Sequence, residues 1–306
     1  MRGALWMTAG AASLACLSGV IRYVTGELHP FEAAFFRSLF GLAFMLPWLW
    51  RAGFRGLYTG RHVLYGLRGL LACLATLSFF SALSILPLAE VIALSFTAPL
   101  MAAAGAALIL GEVVRMRRWT AIAVGFLGVL IMLRPGIEAL TPGAILALLA
   151  AFGMAASMLC IKVLSRTESI EAIVIYMLVY LTPMSLIAAL FVWETPSPEL
   201  WPWLIAMGGL GTAGHLCLTR AFAIAETTVV LPFDYLRLPF VALIGFGIFA
   251  EVPGILTWVG AGIIAGASAY LAHREATLAR AAGAPLTATA SDSPVVTLDG
   301  AAEARR

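Results

Sequence analysis

Ten long apolar blocks, separated by short polar breaks, run along this chain. They fall at 3–21, 31–50, 63–84, 88–110, 118–134, 142–162, 169–192, 200–223, 228–250 and 253–272. A bilayer core takes about 20 apolar residues per helical crossing, so the pattern predicts ten transmembrane helices. The fifth block is short, and the fourth is softened by Ala and Gly. After residue 272 the pattern stops. From His273 to Arg306 there is no Phe, Trp or Tyr, and Ala, Thr and small polar residues dominate, which predicts a disordered cytoplasmic tail.

The blocks also repeat. Pro99-Leu100, Gly111-Glu112 and Trp119 lead into a glycine-punctuated apolar run ending near Leu133. Pro239-Phe240, Glu251 and Trp258 lead into another, ending near Leu271. Glu112 and Glu251 are 139 residues apart; Pro99 and Pro239 are 140 apart. Each half then holds five crossings, and an odd number turns the second half upside down relative to the first. The predicted fold is all-α and integral to the membrane, with two inverted five-helix repeats, 1–134 and 135–272, and the tail 273–306. Secondary carriers of this construction bind substrate near the axis relating their halves.

Composition agrees with a lipid solvent. The chain is 62% hydrophobic and 11% charged, with a mean hydropathy of +0.98. A soluble domain carries about 25% charged residues. The net charge of +3 would suggest nucleic acid only if it were gathered on one surface. With the N-terminus inside, Arg2, Arg51, Arg55, Arg61, Arg115, Arg117, Arg118, Lys162, Arg166, Arg274 and Arg280 all fall in cytoplasmic segments. Arg22 and Arg134 fall outside. That bias sets both termini in the cytoplasm, and no nucleic-acid partner is expected. Arg2 followed by an apolar run resembles a signal peptide, but nine further spans favour an uncleaved first helix. Cys16, Cys73, Cys160 and Cys217 lie within spans without paired spacing, so they read as small packing residues; no metal or cofactor is expected.

Polar residues inside the spans are the candidate chemistry. A charge at mid-span costs about 3 kcal/mol and is usually turned to protein or water. The densest run is Leu231-Pro232-Phe233-Asp234-Tyr235-Leu236-Arg237-Leu238-Pro239. Asp234 and Arg237, three apart, share a helical face between Pro232 and Pro239. Pro99 interrupts the fourth span at the matching place, after Ser95-Phe96-Thr97. Paired interruptions in inverted halves point to a transport site. The alternative is a structural Asp–Arg pair between kinked helices. Phe96, Tyr235 and Trp6 are candidate walls.

Arg37, near Glu32, either joins the site or snorkels to the outer interface. Arg68 and Arg220 lie near cytoplasmic span ends and read as interface anchors, although Arg220 or Arg37 could assist Arg237 on a carboxylate. His215 falls mid-span, as hydrogen-bonded structure or as a proton relay. Glu90 reads as an interfacial acid. Glu112 and Glu251, at matching span ends, read as structural caps or partners of loop basic residues. Gly262-x-x-x-Gly266 serves either a homodimer or packing within one chain.

The motif His29-Pro30-Phe31-Glu32-Ala33-Ala34-Phe35-Phe36-Arg37, with Leu67-Arg68-Gly69-Leu70, resembles the EamA-type branch of the drug/metabolite transporter superfamily. So does the run Pro87-Leu88-Ala89-Glu90, Ser95-Phe96-Thr97-Ala98-Pro99-Leu100, Gly111-Glu112, Arg118-Trp119, Gly125-Phe126 and Gly128-Val129. The resemblance covers roughly residues 3–272. Within the branch the chain is most similar to bacterial S-adenosylmethionine uptake carriers, with related patterns in riboflavin carriers and in amino-acid or metallophore exporters. The resemblance implies ten helices with both termini inside, a central cavity between the halves, and alternating access without ATP hydrolysis.

The leading expectation is a secondary carrier of a small polar metabolite, S-adenosylmethionine or an amino-acid-like zwitterion. Asp234 would meet an ammonium or sulfonium and Arg237 a carboxylate. A lipid flippase is the alternative from another class. An enzyme is disfavoured: the sequence has no Asp-rich diphosphate motif, His cluster or Ser/His pair at helical spacing. With no ATP-binding loop, uphill movement must draw on an ion gradient or exchange.

Overall fold

The structure is a computed structural model that describes residues 2–52, 59–109, 116–133, 141–164, 168, 170–224 and 233–281. Among these residues every regular element is helical, as lipid demands, because a helix satisfies its backbone polar groups internally. The first half contains α1 (Arg2–Val24), α2 (Pro30–Ala52), α3 (His62–Ile85), α4 (Leu88–Ser95), α5 (Ala98–Ile109) and α6 (Met116–Leu133). The second contains α7 (Pro142–Leu164), α8 (Ile170–Leu190), α9 (Trp201–Ile224), α10 (Arg237–Phe249) and α11 (Ile255–Ala281). Among the described residues four stretches are long and apolar enough to cross a membrane: Arg2–Val24, His62–Ile85, Leu88–Ile109 and Pro142–Ile161.

The fourth block is two helices, α4 and α5, separated by a turn at residues 96–97, the interruption expected beside Pro99. One difference from the sequence pattern stands out. The last helix runs nine residues past position 272, to Ala281, because Arg, Glu, Ala and Leu in that stretch are strong helix formers.

The repeat is visible in the element boundaries. Shifting α3 by 139 residues lands on both ends of α9, and the same shift carries the starts of α5 and α6 onto those of α10 and α11. The halves are interlocked. α1 packs most extensively on α9 and its repeat equivalent α7 on α3, while α6 packs on α11 and α2 on α8. Each half thus lays its first helix on the third helix of the other.

Glycines allow the closest crossings. At Gly208 of α9 an added Cβ would stand 2.3 Å from the Phe40 Cβ on α2. At Gly128 of α6 it would stand 2.9 Å from the Gly260 carbonyl on α11. Gly262 and Gly266 differ: a Cβ on either meets nothing within 4 Å among the described residues.

Leu5, Val63, Leu108, Phe191, Leu243, Phe246 and Ile255 are exposed, as expected of a lipid-facing surface. Tyr23, Trp193, Trp201 and Trp203 are also exposed at one end of the bundle, where α1 and α8 finish and α9 starts. This is an aromatic belt at the outer interface.

Candidate functional site

The two broken helices meet. In the first half the turn between α4 and α5 occupies Phe96 and Thr97. In the second, residues 233–234 are helical, Tyr235 and Leu236 form the turn, and α10 follows. These turns are 139 residues apart, and their hydrogen bonds repeat. The Thr97 N–H donates to the Leu94 carbonyl at 3.0 Å and the Leu236 N–H to the Phe233 carbonyl at 3.3 Å. The Met101 N–H donates to the Thr97 carbonyl at 2.9 Å and the Phe240 N–H to the Leu236 carbonyl at 3.1 Å. Pro99 and Pro239 lie in the first turns of α5 and α10, where a missing N–H costs little. Pro232 lies outside the described residues.

Phe96 and Tyr235 are equivalent positions, and their rings touch edge to face, with centroids 5.0 Å apart. Equivalent residues in contact must straddle the axis relating the halves. The Ser268 hydroxyl donates to the Phe96 carbonyl at 3.0 Å, and the Tyr235 hydroxyl lies beside it.

Four polar groups gather next to this contact. Asp234 and Arg237 flank the turn and lie within electrostatic range of each other, yet form no ion pair within 4.0 Å. The Asp–Arg salt bridge of the alternative reading is not formed. The turn replaces the continuous helical face that the three-residue spacing assumed. Asp234 Oδ1 and Arg237 Nε are buried without a hydrogen-bond partner among the described residues. Arg37 on α2 reaches His215 on α9, with Nη2···Nε2 at 3.4 Å. His215 also lies within electrostatic range of Arg237. It is solvent-accessible yet enclosed by protein, the signature of a side chain lining an internal space. Arg37 is partly buried, and its contact with His215 turns it toward α9.

The remaining candidates divide. The Arg220 guanidinium sits 5.0 Å above the Trp6 ring. Arg220 is exposed, in keeping with an anchor at the inner end. Trp6 packs with Met7, Leu218, Ala221 and Phe233, so its cluster touches the residue before Asp234. Arg68 departs from expectation. It is only 4% exposed and donates to the Ile173 carbonyl and to Met177 Sδ, tying α3 to α8 in the interior. Its position along the span gave its depth but not the face on which it lies.

A second cluster was only partly foreseen. Arg22, at the end of α1, pairs with Glu251 (Nη2···Oε1 3.1 Å) and donates to the Leu83 carbonyl at 2.7 Å. Glu251 Oε2 accepts the Leu88 N–H at 2.8 Å, capping the N-terminus of α4 in the other half. The sequence marked Glu251 as a structural partner of loop basic residues. The capped helix lies 163 positions away and had no local signal. Glu90 Oε1 accepts a hydrogen bond from Thr257 at 3.3 Å beside it. Glu112 lies outside the described residues.

A model of the EamA-like transporter family matches residues 1–134 and 141–272. A riboflavin transporter of Vibrio cholerae serotype O1 is 32% identical over 280 residues, covering 90% of this chain and 94% of that protein. An S-adenosylmethionine uptake transporter of Rickettsia prowazekii is 30% identical over 275 residues, covering 90% and 94% respectively. One solved crystal structure, 20% identical, shares the fold with a TM-score of 0.59 over 89% of this chain and 98% of that one.

Proposed function

The chain belongs to the EamA-like transporter family, and from that premise we propose that it is an alternating-access carrier for a metabolite with an amino-acid-like zwitterionic head. Transport of a small metabolite across the membrane follows from the family and the named relatives. The zwitterion is our reading of the site. Asp234 takes the ammonium or sulfonium, Arg237 takes the carboxylate, and Tyr235, Phe96 and Trp6 wall the flat part of the molecule. No covalent step is involved, and the work comes from exchange or an ion gradient.

One observation carries this reading. Asp234 and Arg237 stand at the axis, close enough to interact but unpaired, each with a buried polar atom that lacks a partner among the described residues. Leaving opposite charges buried and apart is costly, and a ligand bearing both charges removes that cost for both at once.

Counterflow in proteoliposomes tests it. Vesicles loaded with unlabelled S-adenosylmethionine should accumulate labelled compound from outside, and Asp234→Asn should abolish the accumulation while expression stays normal. Retained accumulation in both Asp234→Asn and Arg237→Ala would overturn the assignment. Riboflavin counterflow that ignores both substitutions would leave a carrier whose substrate is held by the aromatic walls instead.

A further inference from the structure

The geometry points to Arg37 as a second cationic anchor beside Arg237, so that the site demands a carboxylate on its substrate. This rests on the carrier reading above and adds to it a rule of selection.

Arg37 and Arg237 come from different halves, on α2 and α10, and both act electrostatically on His215 of α9. Among the described residues no carboxylate lies within 4.0 Å of either guanidinium. Counted among the described residues, two enclosed cations with one nearby carboxylate, Asp234, leave the site one positive charge in excess. Uncompensated charge inside a membrane protein is expensive and is retained where an anion arrives. Guanidinium groups bind carboxylates through paired hydrogen bonds, so a carboxylate shared between the two suits this excess.

Arg37 is also positioned for the task. Its guanidinium lies over the bare backbone of Gly211, where an added Cβ would stand 3.2 Å from Nε and 3.3 Å from Nη2. The contact with His215 Nε2 holds the other side. Because the guanidinium cannot accept a hydrogen bond, His215 must accept there, which makes it a neutral positioning residue. Arg220 plays no part in this subsite; it is committed to Trp6.

The test compares counterflow of S-adenosylmethionine, its decarboxylated analogue and riboflavin. The wild type is expected to prefer the carboxylated compound over the decarboxylated one by about tenfold or more in half-saturation concentration, as befits charged hydrogen bonds. Arg37→Gln should bring that ratio close to one, and Arg37→Lys should keep part of it. Gly211→Ala, which crowds Arg37, and His215→Leu, which removes its acceptor, should lower the ratio, whereas His215→Gln should preserve it. Reading a ratio separates selection from mere loss of folded protein. A ratio unchanged in Arg37→Gln overturns the inference, as does carriage of riboflavin alone, and both outcomes leave the carrier standing. Absence of counterflow with all three compounds defeats the substrate reading and this inference with it.

Discussion

Single atoms decide how closely these helices approach. The α2–α9 crossing has no room for a side chain at Gly208, where a Cβ would press on the Phe40 Cβ at 2.3 Å and on its carbonyl carbon at 2.8 Å. Gly208→Ala must part the helices and is expected to cost about 1–3 kcal/mol. At Gly247 on α10 an added Cβ meets nothing within 4 Å among the described residues. Gly247→Ala should be neutral or stabilising by up to about 1 kcal/mol, since Ala is the better helix former. Thermal unfolding in detergent should show a melting temperature lowered by several degrees in the first variant and held or raised in the second. Equal losses would contradict the packing described. Arg68 and Arg37 make the same point for polar atoms. Both were legible as charges within spans, but which neighbour each meets depends on rotation about the helix axis.

At the scale of elements, the breaks follow the repeat more faithfully than the prolines do. The turns at Phe96 and Tyr235 are 139 residues apart, whereas Pro99 and Pro239 are 140 apart. Proline marked the neighbourhood of each break, and local hydrogen bonding set its register. Ser268 holds the first break by donating to the freed Phe96 carbonyl. Ser268→Ala leaves that carbonyl buried and unpaired, at a cost of about 1–3 kcal/mol, and unfolding in urea should report it. The end of α10 carries strain of its own. Ala250 is left-handed, with φ of 54°, and the turn brings the Glu251 N–H to the Gly245 carbonyl at 2.9 Å. At the equivalent position of the first half the sequence has Gly111, the residue suited to that backbone. Ala250→Gly is expected to stabilise the protein by about 1 kcal/mol; a lower melting temperature would show that Ala250 contributes packing that outweighs its strain.

For the whole molecule, the knot of Arg22, Glu251, Leu83 and Leu88 matters most. It joins α1, α3 and α4 of one half to the α10–α11 connection of the other, at the outer end. Removing one partner of a largely buried ion pair costs about 3 kcal/mol, close to a hundredfold in a two-state equilibrium. Arg22→Gln should therefore favour the state open to the outside. A cysteine placed by Val91→Cys, at a fully buried position in α4, reads that opening. In a background lacking the native cysteines it should react faster with an impermeant thiol reagent applied outside when Arg22→Gln is present. An unchanged rate would mean that the knot is only a brace.

Hydropathy and spacing determined the solvent, the ten crossings, the inversion of the halves and the neighbourhood of both breaks. These are properties of local composition and of a repeat that can be counted along the chain. They also placed Asp234, Arg237, Tyr235 and Phe96 near the axis, because a break recurring at equivalent positions of inverted halves falls there. Only tertiary structure decided that Asp234 and Arg237 stand unpaired, that Arg37 reaches His215 across 178 positions, and that Glu251 caps a helix of the opposite half. α8 and α11 show little contrast between faces, so nothing in their sequences announces which side turns inward. In lipid that choice is made by close packing between interlocked helices, and packing is a property of pairs that no single segment contains.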